Sequence, residues 1–147
     1  MILVDADACP VRGEIEKVST RHRLPVKMVT NGGLRPSANP LIEVVYVAEG
    51  PDEADRWIAE AAGHGDIVVT ADMPLAAKCV EAGAAVLRPD GSELTQANVR
   101  EALAMRDLAA DMRAADPFRQ GGGRPFSRAD RSRFLDALER AVRRGGK

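Results

Sequence analysis

Short apolar runs alternate with stretches of helical periodicity through the first 90 residues of the chain. Ile2-Leu3-Val4 is a brief unbroken apolar run, the pattern of a strand buried on both faces. Ile15 and Val18 then recur at helical spacing, predicting a helix over Val11–His22 that Pro25 closes from beyond its end. Further strands are predicted at Val26–Thr30, Glu43–Val47, Asp66–Thr70 and Ala85–Leu87. Helices are expected between them at Asp52–Ala62, with Ala54, Trp57, Ile58 and Ala61 facing a core, and at Pro74–Glu81. Asn31-Gly32-Gly33, Gly50-Pro51 and Gly83 punctuate these elements, and the Pro- and Asn-containing Leu34–Leu41 reads as a loop. Strand–helix alternation of this kind implies an α/β domain with a five-stranded parallel sheet, and the order 3-2-1-4-5 is assumed.

The pattern then changes. A longer helix is expected from Thr95 or Asn98 to about Ala115, followed by a linker at Pro117–Phe126 that contains Gly121-Gly122-Gly123. Ser127–Arg144 is an amphipathic helix with Phe134, Leu135, Leu138 and Val142 on its apolar stripe. The expected organisation is an α/β domain at 1–116 and, at 117–147, a linker plus a basic helix packing on that domain.

Charge follows the same division. The 147 residues carry a net charge of −1. Residues 1–116 hold 12 Lys and Arg against 19 Asp and Glu, a net −7, whereas residues 117–147 hold 9 against 3, a net +6. With 5 aromatic residues in all, the composition argues against a surface built on many stacking aromatics. No apolar run approaches the roughly 18 residues of a membrane span, and the opening residues lack a signal-peptide pattern, so the expected location is the cytoplasm with no membrane partner. Cys9 and Cys79 are too few for a disulfide framework, and neither pairs with a His at zinc-ligand spacing. The acidic surroundings of Cys9 argue against a catalytic thiol.

Six carboxylates fall where strands end or helices begin: Asp5 and Asp7 after the first strand, Glu14 in the first helix, Asp52 and Asp55 opening the next, and Asp72 beyond the fourth strand. In an open α/β sheet all of these positions face the carboxyl edge, where ligands bind at the reversal of strand order. Gathered carboxylates repel unless a cation compensates them, and an all-oxygen donor set suits Mg²⁺ or Mn²⁺. Such ions activate water for phosphodiester cleavage. Simpler roles fit the same residues. Asp52 with Asp55 matches a capping box, Asp72 an N-cap, and Glu14 a solvated helix face. Ser127 with Asp130 forms a further capping-box pattern, read as structural. Asn31, at the end of the second strand, and Lys78 are candidate substrate contacts, each with a plainer turn or solvated role.

Val4-Asp5-Ala6-Asp7-Ala8-Cys9-Pro10, Asp52-Glu53-Ala54-Asp55-Arg56-Trp57-Ile58, Thr70-Ala71-Asp72-Met73-Pro74-Leu75-Ala76 and the C-terminal Pro125-Phe126-Ser127 with Asp130-Arg131-Ser132-Arg133-Phe134 resemble the YaiI/YqxD family. That family is grouped with PIN-like domains, Mg²⁺- or Mn²⁺-dependent nucleases acting mostly on RNA. The resemblance implies a PIN-like three-layer fold with a basic C-terminal helical extension. It implies Asp5 and Asp72 as catalytic acids, Asp52 or Asp55, with Asp55 preferred, as the helix-borne acid, and Glu14 as an acid on the first helix. PIN nucleases often carry Ser, Thr or Asn where this chain has Asp7. The tail arginines, Arg131 and Arg133 foremost, are expected either to contact phosphates or, on a helix docked through Phe134 and Leu138, to pair with the acidic surface of the body. The leading expectation is a metal-dependent nuclease, a ribonuclease. The alternatives are a non-catalytic RNA- or metal-binding regulator and a haloacid-dehalogenase-like phosphatase with Asp5 as nucleophile. Oligomeric state is left open, with a homo-oligomer allowed.

Overall fold

The computed structural model describes residues 1–50, 52–105 and 126–145. The expected linker at Pro117–Phe126 and the end of the helix projected to Ala115 lie, apart from Phe126, outside the described residues. Strands β1 (Ile2–Asp5), β2 (Val26–Thr30), β3 (Ile42–Tyr46), β4 (Ile67–Val69), β5 (Ala85–Leu87) and β6 (Glu93–Leu94) form one sheet. The helices are α1 (Arg12–His22), α2 (Glu53–Ala61), α3 (Met73–Glu81), α4 over 99–105, and α5 (Arg128–Gly145).

The strand order is β3-β2-β1-β4-β5-β6. The five expected strands keep the expected order and pair in parallel, with Val4 opposite both Met28 and Val69. The sheet differs from expectation in having a sixth strand, β6, antiparallel to β5. Its two residues follow a tight turn in which the Gly91 amide donates to the Arg88 carbonyl and the Arg88 amide to the Ser92 carbonyl. Two residues are too few to leave an apolar pattern in the sequence.

The alternation of side chains along each strand divides the core in two. On one face Ile2, Val4, Met28, Val69 and Leu87 pack against Ile15 and Val18 of α1 and Phe134, Leu138 and Val142 of α5. On the other, Leu3, Val29, Val68 and Val86 meet Ala54 and Ile58 of α2, Leu75 and Val80 of α3, and Val99 of α4. The result is helices on both faces of the sheet. Phe134 and Leu138 are fully buried, so α5 is part of the body's core and its arginines occupy the outer face. Gly91 shows how closely it seats: a Cβ there would lie 2.7 Å from the Arg133 carbonyl carbon, and its φ of +93° favours glycine.

Candidate active site

β1 lies between β2 and β4, so the chain leaves it toward one side while β4 leads to the other. This is the reversal of strand order at which open α/β sheets form crevices. Asp5 ends β1 there, half-buried. Thr70, the residue after β4, is buried and its hydroxyl donates to Asp5 Oδ2 at 3.1 Å. The same Thr70 oxygen accepts the Asp72 amide at 3.0 Å, so one hydroxyl links the ends of two neighbouring strands. Asp72 caps α3, its Oδ1 accepting the Leu75 amide at 2.9 Å. The N-cap role expected of Asp72 is therefore real, and it holds the carboxylate at the edge without occupying both oxygens.

Asp55, in the first turn of α2, lines the same groove as Asp72 and feels its charge. Burial, reinforced by the charges of Asp72, Asp5 and Asp52, pushes its carboxyl up to about 6. Asp5 is also raised, first by burial and against the opposing hydrogen bond from Thr70, with Asp7 and Asp72 adding repulsion. Asp5, Asp55 and Asp72 thus form one electrostatic group, although they come from three elements spread over 68 residues. Asp52 borders it. The capping box read for Asp52 and Asp55 is not formed, since Asp52 is exposed and makes no side-chain cap bond.

The remaining candidates are placed differently. Asp7 sits on a single 3-10 turn, Ala6–Ala8, that swings it away from β1 toward the end of β2. There Thr30 donates its hydroxyl to Asp7 Oδ1 at 2.5 Å, and the Asn31 amide lies 3.3 Å from Oδ2. Asn31 touches the acid through its backbone, with its side chain exposed. Glu14 pairs with Arg131 at 3.0 Å, and Arg131 also donates to the Pro10 carbonyl at 2.6 Å and stacks on Phe126. Arg133 pairs with Asp130, which completes the capping box expected with Ser127. Both arginines singled out for phosphate contacts thus already hold protein partners. Lys78 does reach the site: with Asp52, Asp55, Arg56 and Asp72 it lines a groove of about 450 Å³ between α2 and α3. Cys9 is buried and its thiol is raised chiefly by that burial, and Cys79 is raised to about 11, which leaves both as inert thiols at neutral pH.

Two participants escaped the sequence reading, Thr30 and Thr70. Each is a nearly fully buried hydroxyl immediately at the end of an apolar strand, and each holds one of the two acids that follow β1. Their matched positions at the ends of the strands flanking β1 were the available signal. Among the described residues, no three Asp, Glu, His or Cys side chains are arranged to hold one metal ion together. None of the helices among those residues is long and apolar enough to cross a membrane.

Comparison with known proteins adds the lineage. A family model described as "Uncharacterized BCR, YaiI/YqxD family" matches residues 3–144. The chain belongs to the YaiI/YqxD family. It is 66% identical over 143 residues to a UPF0178 protein of Cereibacter sphaeroides, spanning 97% of this chain and 89% of that one. A UPF0178 protein of Ruegeria pomeroyi is 67% identical over 97% of this chain and 93% of its own length. One from Parvibaculum lavamentivorans is 54% identical over 96% and 92%. The YaiI/YqxD assignment thus covers both the acid edge and α5. No solved structure matches the chain.

Proposed function

We propose that this YaiI/YqxD protein is a PIN-like, Mg²⁺- or Mn²⁺-dependent phosphodiesterase that hydrolyses RNA. The observation that supports it best is the convergence of Asp5, Asp55 and Asp72 at the β1/β4 reversal, with the first two raised in pKa by burial and mutual repulsion. Structural ion pairs lower carboxylate pKa values, whereas burial and like-charge neighbours raise them. The donor set is oxygen alone, the chemistry that suits a hard divalent cation, and Asp55 keeps its proton up to about 6 because burial and the neighbouring carboxylates disfavour its charge. As they stand, Asp5, Asp55 and Asp72 are not arranged around one ion; drawn in around it they would hold it, and it would supply charge for the phosphate and a more acidic water.

The chain's own residues have definable tasks. The Thr70 hydroxyl orients Asp5, and the Leu75 amide orients Asp72. Lys78 and Arg56 stand beside the acids in the same groove as counter-charges for a phosphate. Asp7 is held at the end of β2 by Thr30 and Asn31, apart from the Asp5–Thr70–Asp72 linkage, which disfavours the phosphatase alternative.

The test is cleavage of single-stranded and structured RNA with Mn²⁺ or Mg²⁺. Cutting is expected to disappear in excess chelator and in Asp5→Asn and Asp72→Asn. Cutting that survives chelation or either substitution overturns the reading. Metal binding and RNA binding without cutting would leave the regulator alternative in its place.

A further inference from the structure

The start of α5 packs on the stretch of chain that leaves β1. Ala6, Cys9 and Val11 of that stretch share one buried cluster with Phe134 and Leu138 of α5. Several ties fix the first turn of the helix. Ser127 and Asp130 close its capping box, with the Ser127 amide 2.9 Å from Asp130 Oδ2 and the Asp130 amide 3.2 Å from Ser127 Oγ. Gly91 seats against the Arg133 and Phe134 backbone so closely that no Cβ fits. Arg131 adds another: its Nη1 donates to the Pro10 carbonyl at 2.6 Å and to Glu14 Oε1 at 3.0 Å. The Phe126 ring centre lies 5.1 Å from the same guanidinium. Pro10, in turn, ends the segment that carries both acids following β1. Asp5 closes the strand, Asp7 stands on the turn Ala6–Ala8, and Val11 opens the α1 ladder by accepting the Ile15 amide. The Pro10 carbonyl thus lies one residue outside that ladder. Thr30 holds this segment at Asp7, and Arg131 holds it at Pro10.

We propose that Arg131 is a positioning residue of the acid edge, fixing the Asp5–Pro10 segment through the Pro10 carbonyl and so setting where Asp5 stands. The proposal rests on the nuclease reading for what Asp5 does, and it gives α5 a part in that reading other than holding phosphates. The geometry favours this over a direct grip on RNA. Nη1 is already committed to two protein oxygens, and the Glu14 charge beside it opposes a phosphate. Bonds from a charged nitrogen to a carbonyl and a carboxylate are of the stronger, charge-assisted kind. Thr70 holds the Asp5 side chain from the end of β4, whereas Arg131 holds the backbone that follows Asp5. Both are needed, because a misplacement of about 1 Å at a reacting group is enough to cost a large factor in rate.

The test compares Arg131→Ala and Arg131→Lys with the wild type, each as the full chain. Amide hydrogen exchange, read residue by residue by NMR, is expected to quicken roughly tenfold at Ala6–Cys9 in Arg131→Ala. The Leu3 and Val4 amides of β1 should keep their protection. Arg131→Lys should restore part of the loss, because an ammonium can donate to the same carbonyl. In RNA cleavage with Mn²⁺, Arg131→Ala is expected to lower kcat about tenfold or more, with KM and the salt slope of binding unchanged. A raised KM and flattened salt slope at unchanged kcat would make Arg131 a phosphate contact and overturn the proposal. Unaltered exchange at Ala6–Cys9 would overturn it as well, as would equal quickening in β1, which marks a general loss of stability. Absence of cleavage by the wild-type chain removes the nuclease reading instead, and the exchange result then decides by itself whether Arg131 fixes the segment.

Discussion

The acid edge and α5 are both densely charged, yet their charges act in opposite senses. On α5, Glu139 is held at 2.6 Å by Arg21, with His22 at 3.0 Å and Arg143 at 3.3 Å, and its carboxyl is lowered, chiefly by the hydrogen bond from His22. Arg144 reaches Glu93 on β6, and Arg131 reaches Glu14 on α1. At the carboxyl edge, Asp5 and Asp55 are raised instead, first by burial and then by the charges of other carboxylates. One region satisfies its charges internally and helps hold the fold. The other keeps like charges together at a cost in stability, which is the arrangement expected of a site completed by something from solution.

Four measurements would break or sharpen that contrast. The largest effect should come from the apolar stripe of α5: Phe134→Ala is expected to cost about 3–5 kcal/mol by urea unfolding, because the side chain is fully buried. A loss below about 1 kcal/mol would mean that α5 is an appendage after all. Next, Gly91→Ala should destabilise by about 1–3 kcal/mol, since its methyl would press into the α5 backbone from a left-handed φ.

At the acid edge the sign reverses. The folded chain holds the Asp55 proton up to about 6, whereas an unfolded carboxyl releases it near 3.8. This group's contribution to stability is therefore most favourable below pH 3.8, declines as pH rises toward 6, and is fully adverse above that. Asp55→Asn should stabilise the metal-free protein at pH 8 by about 1 kcal/mol, allowing for solvent screening of a partly exposed group. It should also abolish any rise in melting temperature with Mn²⁺. Destabilisation by Asp55→Asn at pH 8 would erase the distinction between the regions. The smallest effect belongs to Glu139→Gln, expected to cost under about 1 kcal/mol at pH 7. Glu139 contributes above the ordinary carboxylate pKa of 4.5, and that contribution is lost as pH falls through its lowered folded value, opposite in direction to Asp55.

Much of this architecture was legible in the residues alone. Ile2-Leu3-Val4 and Ile67-Val68-Val69 are short, β-branched-rich apolar runs, the pattern of strands buried on both faces, and the helices between them carry clear stripes. Asp5 and Asp72 were legible as edge residues because strand ends in an α/β sheet share one side. Less was legible where a role depends on a partner distant in sequence. Asp7, two residues from Asp5, belongs to the end of β2 because the Ala6–Ala8 turn rotates it there. Glu14 looked like an edge acid until Arg131, 117 residues on, took it up.

The order and spacing of apolar residues specify the strands and helices, since backbone hydrogen bonding and burial act over a few residues at a time. They also bring Asp5, Asp55 and Asp72 to one edge, because parallel strands can be connected in few ways. Whether a charge there is paired or left in repulsion was settled only by tertiary packing. Coulombic energy depends on distance through space, and neighbours such as Glu93 and Arg144, or Asp5 and Thr70, are made adjacent by the sheet and not by the chain.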